Sequence, residues 1–87
     1  MEAQIKDLIL SNSTELFGSE ISENSIQFQP TRKDVEGDMT LVVFPFVKIL
    51  RCAPEQAGHK IGAFLKERID EIESFDALKG FLNISFS

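Results

Sequence analysis

Three prolines limit where regular structure can run in this sequence. Proline has no backbone N–H to donate to a neighbouring strand, so Pro30 should end the extended segment that precedes it. Pro45 and Pro54 suit the first turn of a helix, where the missing donor would have had no intrahelical acceptor. The chain is therefore predicted to leave a strand at Pro30 and to enter helices at the other two prolines.

Apolar spacing predicts the helices between these points. Residues 3–17 have apolar side chains at intervals of three, four and seven, and Gly18 can close such a helix in a left-handed cap. A short helix is expected after Pro45, and a longer one of about fifteen residues is expected from Pro54. Serine, glutamate and asparagine dominate residues 19–25, which are predicted to form a loop.

Extended segments are predicted at four places. Residues 26–29 alternate apolar and polar side chains, and Met39 to Val43 is rich in residues that favour strands. Residues 72–75 and 81–86 are two further runs, joined by a turn through residues 76–80. The end of the chain is therefore predicted to be a hairpin.

The order of these elements indicates the fold class. A helix, two strands, helices and two strands predict an α+β two-layer sandwich, α-β-β-α-β-β, with an antiparallel four-stranded sheet and helices on one face. The other face is expected to meet solvent. A chain of 87 residues can bury enough surface for one core only, so residues 1–87 are predicted to be a single domain.

Gly58 and Gly62 lie four residues apart in the long helix. Each glycine lowers helix stability by about 1 kcal/mol relative to alanine, unless its small size is needed. The favoured interpretation is that both glycines let this helix approach the sheet or the preceding short helix.

Composition excludes several classes of protein. The longest apolar run, Leu41 to Val47, is far shorter than the ~20 residues of a membrane span, and the start of the chain resembles no secretory or transit signal. A cytoplasmic location without a membrane partner is expected. Cys52 has no second cysteine to pair with, and no Cys/His cluster has metal-binding spacing. No metal is expected, and the net charge of −5 argues against nucleic-acid binding by overall charge alone.

Catalysis by this chain alone is not expected. The sequence has no phosphate-binding glycine loop and no nucleophile elbow, and His59 has no visible nucleophile arranged with it. His59 is interpreted as a solvent-facing residue near the start of the long helix. Cys52 is interpreted as a small, inert and partly buried residue.

The final strand places an aromatic ring on an unexpected face. Leu82, Ile84 and Phe86 alternate and should face the core, so Phe81 and Asn83 should share the opposite face. Two simpler interpretations remain open at this point. Another element could cover Phe81 in the core, and Asn83 could make a hydrogen bond at an edge strand or a turn.

Three segments in order carry a family resemblance. They are the Glu36-Gly37-Asp38 turn that leads into an apolar run, the Pro54-Glu55-Gln56 helix start, and the closing Lys79-Gly80-Phe81-Leu82-Asn83. In this combination the chain resembles the N-terminal additional domain of arginyl-tRNA synthetases. The resemblance is strong from about Pro30 to Phe86, whereas only the helical pattern matches before it.

This resemblance implies an accessory domain of a class I aminoacyl-tRNA synthetase. Such a domain contacts the D-loop at the outer corner of tRNA(Arg) and helps the parent arginine–tRNA ligase attach arginine to tRNA with ATP. The nucleotide-binding signatures of the family are missing from these residues. The resemblance therefore implies that the catalytic core and the arginine and ATP sites lie elsewhere in the parent chain. The expected partners are tRNA(Arg) and that catalytic core, and no cofactor is expected in this fragment.

The resemblance also implies particular tRNA-binding residues. Phe81 and Asn83 match the aromatic residue and the amide of the family's last strand, where a ring can stack on an unpaired base and an amide can hydrogen-bond to a base edge. Lys79, Arg32 and Lys33 are the candidates for phosphate contacts. Acidic neighbours could instead pair with Arg32 and Lys33 on the surface.

Two other classes of function remain open from the sequence. A protein interaction module could dock another domain or subunit through the exposed sheet face that carries Phe81. A stand-alone domain could also share this fold without sharing the function.

Overall fold

The computed structural model describes residues 2–30 and 37–86, which form two layers. Within these ranges four strands make one antiparallel sheet, and α-helices cover one of its faces. The predicted α+β sandwich is confirmed.

The helical layer is built from four α-helices in the described residues. Their bounds are α1 (Glu2–Ser11), α2 (Ser13–Phe17), α3 (Phe44–Leu50) and α4 (Pro54–Arg68), and a short 3-10 helix spans Glu23–Ser25. None of these helices is long and apolar enough to cross a membrane.

The prediction of one unbroken helix over residues 3–17 is wrong at Asn12. This residue has a non-helical backbone, with φ of −115° and ψ of 19°, and it separates α1 from α2. Its side-chain Nδ2 donates to the carbonyl of Leu8 at 2.9 Å, so the amide competes for a helix acceptor. Gly18 closes α2 with a left-handed φ of 78°, and its N–H donates to Thr14, which confirms the predicted cap.

Both predicted helix starts at proline are confirmed. Pro45 and Pro54 lie in the first turns of α3 and α4, where no N–H is required of them. Helix α4 is 15 residues long, as expected. Gln56 Oε1 also accepts from the backbone N–H of Ala53 at 3.2 Å, which satisfies a donor at the helix start.

The sheet contains β1 (Gln27–Gln29), β2 (Met39–Val42), β3 (Ile72–Leu78) and β4 (Phe81–Phe86). The order across the sheet is β1-β2-β4-β3, and every neighbouring pair is antiparallel. The last strand of the sequence is therefore an interior strand. It is paired with β2 on one side and with β3 on the other.

The terminal hairpin is confirmed, but the predicted turn through residues 76–80 is too long. Strand β3 continues to Leu78, and only Lys79 and Gly80 separate it from Phe81. Their φ angles are 55° and 107°, and both are positive. Two residues with positive φ are what a two-residue type I′ hairpin requires, because its backbone twist matches that of the strands.

The core lies between the sheet and the helices. Fully buried side chains come from both layers, among them Ile5, Phe46, Leu65, Leu82 and Ile84. Leu82 and Ile84 face the core from β4, as predicted, while Phe86 is only partly buried against it. Each large apolar side chain that is fully buried contributes about 1.5–3 kcal/mol to stability.

The two glycines of α4 allow the close approach that the sequence predicted. A Cβ atom placed on Gly58 would come within 2.8 Å of the Cβ of Ala77 in β3. A Cβ atom on Gly62 would come even closer to the same strand, against the ring of Phe75. The sheet, rather than the preceding short helix, is therefore what both glycines contact.

Candidate functional site

The sheet face opposite the helices is called the outer face. The register assigns it the side chains of Gln27, Gln29, Thr40, Val42, Ser74, Asp76, Leu78, Phe81, Asn83 and Ser85. Phe81 and Asn83 thus lie on one face, which confirms the alternation expected for β4. This face was expected to meet solvent, yet Thr40 and Asn83 near its centre are buried.

Phe81 is half-buried on the outer face and is not among the core residues. The interpretation that another element encloses Phe81 in the core is therefore wrong. Its ring meets the ring of Phe44 edge to face, with centroids 5.9 Å apart and an interplanar angle of 84°. Such perpendicular pairs are favourable because the positive edge of one ring meets the negative face of the other.

Phe44, the first residue of α3, is the most exposed large apolar residue of the described chain at 53%. Its ring lies over Gly80, since a Cβ atom on that glycine would come within 2.7 Å of the ring carbon Cε1. The backbone N–H of Val43 donates to the carbonyl of Gly80 at 2.9 Å. The hairpin turn and the start of α3 thus hold Phe44 and Phe81 together.

Asn83 is only 4% exposed, although it lies on the outer face. Its Oδ1 accepts a hydrogen bond from the hydroxyl of Thr40 at 2.7 Å, and Thr40 is 2% exposed. The two residues lie directly opposite each other in β2 and β4. The Asn83 hydrogen bond therefore crosses the middle of the sheet, so the interpretation of an edge-strand or turn hydrogen bond is wrong.

The predicted basic residues divide into two groups. Lys79 is exposed in the hairpin turn, immediately before Phe81. Arg32 and Lys33 lie outside the described residues. The structure therefore places Lys79 and Phe81 at the turn end of the hairpin, with Asn83 two residues further along β4 on the same face as Phe81.

Asp38 holds the other end of β4. Its backbone N–H donates to the carbonyl of Ile84 at 2.7 Å, and its Oδ2 accepts from the backbone N–H of Phe86 at 2.9 Å. These two bonds extend the pairing of β2 with β4 by one residue and keep the strand in place beyond Asn83.

His59 and Cys52 are the two other side chains that the sequence analysis considered for catalysis. His59 is exposed, as predicted, with its ring 5.3 Å from that of Phe75. Cys52 is partly buried and has a free thiol. Over residues 2–30 and 37–86, no group of three or more His, Cys, Asp or Glu side chains is arranged to hold a metal ion.

Comparison with known proteins identifies the sequence family of this chain. Residues 3–86 match the sequence family described as the arginyl tRNA synthetase N terminal domain. The chain belongs to this family.

Related arginyl-tRNA synthetase sequences align along the whole chain. The arginine–tRNA ligase of Bacteroides thetaiotaomicron is 38% identical over 87 residues, and that of Phocaeicola vulgatus is 40% identical over 88 residues. Both alignments include 100% of this chain, which spans only 15% and 14% of those two proteins.

A solved structure has the same fold as this arginyl-tRNA synthetase N-terminal domain. The Thermus thermophilus arginyl-tRNA synthetase superposes on all of this chain with a TM-score of 0.72, and the match covers 14% of that chain. Because the sequence identity is 18%, the likeness concerns the fold alone.

Two residues near the family's terminal strand were not singled out from the sequence. Phe44 lies between a predicted strand and a predicted helix, and its proximity to Phe81 depends on the hairpin turn. Thr40 and Asn83 are 43 residues apart in sequence, so only the strand register brings them together. The one local signal was for Phe44, an aromatic residue directly before Pro45, at a boundary between elements.

Proposed function

We propose that this chain, residues 1–87, is a single tRNA-binding accessory domain of an arginine–tRNA ligase. It contacts the D-loop at the outer corner of tRNA(Arg). The catalytic core of the parent protein, outside these residues, attaches arginine to tRNA with ATP. The parent enzyme acts in the cytoplasm.

The observation that carries this proposal is the position of Phe81. Its ring lies on the sheet face away from the core, half-buried beside the exposed ring of Phe44. An unpaired base that stacks on an aromatic side chain gains about 1–3 kcal/mol, whatever its identity. Membership of the synthetase family supports RNA as the ligand of this aromatic surface.

Neighbouring polar groups support the same proposal. Asn83 is two residues from Phe81 on the same face, where its amide can hydrogen-bond to the edge of a stacked base. Lys79 in the turn, together with Arg32 and Lys33, would contact phosphates and fix the orientation of the RNA. Because the chain has a net charge of −5, its affinity for tRNA should be weak when isolated and should fall steeply with salt.

The test replaces Phe81 and Asn83 by alanine, one at a time, in the intact parent synthetase. Loss of a stacking contact should raise the KM for tRNA(Arg) by about tenfold. The KM values for arginine and ATP should stay unchanged, because their sites are proposed to lie in the catalytic core. Ser85→Ala is the matched control, since Ser85 lies on the same strand and the same face.

A titration of the isotope-labelled 87-residue chain supplies an independent measurement. Adding tRNA(Arg) at low salt should shift the amide signals of residues 79–85, and an unrelated tRNA should shift them less. If neither RNA changes these signals, the proposed RNA contact is wrong.

A second candidate function is docking of another protein domain on the same face. Phe44 and Leu78 are 53% and 43% exposed, and isolated apolar residues of this size also occur in protein interfaces. Hydrogen exchange in the intact synthetase without tRNA distinguishes the two functions. Protection of residues 78–83 relative to the 87-residue chain would favour docking, and equal exchange would favour an open RNA-binding face.

A further inference from the structure

Asn83 presents two kinds of hydrogen-bonding group to a ligand, and its orientation decides which of them is available. The side-chain amide has one oxygen acceptor and one nitrogen with two donors. A freely rotating amide could offer either end to a base. A fixed amide offers only one end, which makes the site selective.

The hydroxyl of Thr40 occupies the oxygen end of this amide. It donates to Asn83 Oδ1 at 2.7 Å, and both side chains are almost fully buried. Because the two residues face each other across neighbouring interior strands, neither backbone can move away without breaking the sheet pairing. The hydrogen bond therefore turns Nδ2 away from Thr40, and Nδ2 makes no hydrogen bond to any described residue.

From this geometry we infer that Thr40 is a positioning residue, which makes Asn83 act as a hydrogen-bond donor toward the bound base. The inference rests on the proposed tRNA-binding function and adds the chemistry of recognition to it. The base edge that meets Asn83 must present an acceptor, which is a ring nitrogen or a carbonyl oxygen. An edge that presents only N–H or C–H groups at that point is rejected, because the bound base would take the amide donors away from water without giving them a partner.

A spectroscopic test examines the amide itself. Thr40→Val keeps the shape of the side chain but removes its hydroxyl, whereas Thr40→Ser keeps the hydroxyl. In the 87-residue chain, Asn83 should keep one amide orientation in the unaltered protein and in Thr40→Ser, seen as one fixed pattern of NOEs between its side-chain N–H protons and the neighbouring strands. In Thr40→Val the side-chain N–H signals and their NOEs should change, because the amide then samples both orientations. Unchanged Asn83 side-chain signals in Thr40→Val would overturn the inference.

A functional test couples Thr40 to single atoms of the RNA. Transcripts of tRNA(Arg) with each unpaired D-loop base replaced in turn first identify the contacted base. Analogues of that base then replace one acceptor atom by C–H. With the unaltered intact synthetase and with Thr40→Ser, one such analogue should lower kcat/KM for tRNA about fivefold, mainly through KM. With Thr40→Val the same analogue should have no further effect.

The controls distinguish a failure of this inference from a failure of the proposed tRNA-binding function. If Phe81→Ala and Asn83→Ala weaken tRNA use while Thr40→Val responds to the analogues like the unaltered enzyme, only the role of Thr40 is wrong. If Phe81→Ala and Asn83→Ala leave tRNA use unchanged, the proposed function is wrong, and the inference fails with it. Thermal melting of each variant identifies any loss of folding, and Thr40→Ser then provides the comparison in a folded protein.

Discussion

The ring of Phe75 in β3 lies directly against Gly62 of α4. A Cβ atom on this glycine would come within 2.7 Å of ring carbon Cε2 and within 2.8 Å of Cγ. These distances are shorter than any ordinary contact between carbon atoms. At this distance between helix and sheet, a Cβ atom at position 62 would therefore force the Phe75 ring or the helix to move.

Gly62→Ala should therefore destabilise the domain. Alanine improves helix propensity by about 1 kcal/mol, but overpacking at a buried contact costs about 1–3 kcal/mol. We expect a net loss of roughly 1 kcal/mol in the free energy of unfolding, measured by urea denaturation. Ala63→Gly is the control at the exposed neighbouring position. It measures how much the difference in helix propensity between alanine and glycine changes the free energy of unfolding, without the contact with the sheet. A Gly62→Ala variant more stable than the unaltered protein would contradict the packing argument.

Lys79→Asn should have opposite effects on stability and on tRNA binding. Lys79 adopts a φ of 55°, and asparagine before glycine is the preferred pair in a type I′ turn. We expect a gain of about 0.5 kcal/mol in the free energy of unfolding. If the lysine contacts a phosphate, the slope of log affinity against log salt should decrease by about one. Lys66→Asn, at an exposed position of α4, removes the same charge and should leave this slope unchanged.

Phe44→Ala tests whether the second ring of the aromatic pair contributes to RNA binding. Because Phe44 is largely exposed, its removal should lower the free energy of unfolding by less than about 1 kcal/mol. The affinity for tRNA(Arg) should fall about fivefold, because Phe81 loses the ring that supports it. Ile49→Ala removes another exposed apolar side chain of the same helix and should not change this affinity. Equal affinities for both variants would exclude Phe44 from the binding surface.

The ion pair between Lys6 and Glu23 predicts a local dependence on pH. Lys6 Nζ lies 2.9 Å from Glu23 Oε1, and this hydrogen bond, with the lysine charge, lowers the pKa of Glu23 below the ordinary value of a glutamate. A group whose pKa is lowered by folding stabilises the fold above its unfolded pKa. This stabilisation should be lost as the pH falls below about 4.5 and through the lower folded value.

An NMR titration of the Glu23 carboxyl measures this effect. Lys6→Met should move the pKa of Glu23 upward, whereas Lys6→Arg should keep it lowered because the charge remains. High salt should reduce the difference, since the pair is exposed. Identical titration curves for the Lys6→Met variant and the unaltered protein would show that the pair does not form in solution.

Most of the fold follows from local signals in the sequence. Pro54 and the apolar spacing after it place α4 correctly, because proline and helical periodicity act over a few residues. The break at Asn12 was not predicted, since the apolar side chains keep their spacing across it and only the side-chain hydrogen bond to Leu8 reveals it. The length of β3 was also underestimated. Asp76 favours turns, but the actual turn uses a left-handed lysine for which sequence gives no signal.

The candidate site was predictable only in part for a similar reason. Strand alternation is local, so the shared face of Phe81 and Asn83 could be predicted. The partners of these residues are not local. Phe44 reaches Phe81 through the hairpin turn, and Thr40 reaches Asn83 through a register that pairs distant strands. Strand periodicity does not determine which strands become neighbours.

Strand β4 also has a mechanical consequence. It carries Phe81 at one end and Phe86 at the other, and it is paired along both edges, with Asp38 adding a bond at Phe86. Hydrogen bonds in an antiparallel sheet run perpendicular to the strands, so a pull along β4 loads both ladders in shear at the same time. An edge strand would resist the same pull with one ladder, whereas β4 resists it with two. Tension applied at Phe86 would therefore be transmitted to Phe81 and Asn83 with little extension of the strand between them.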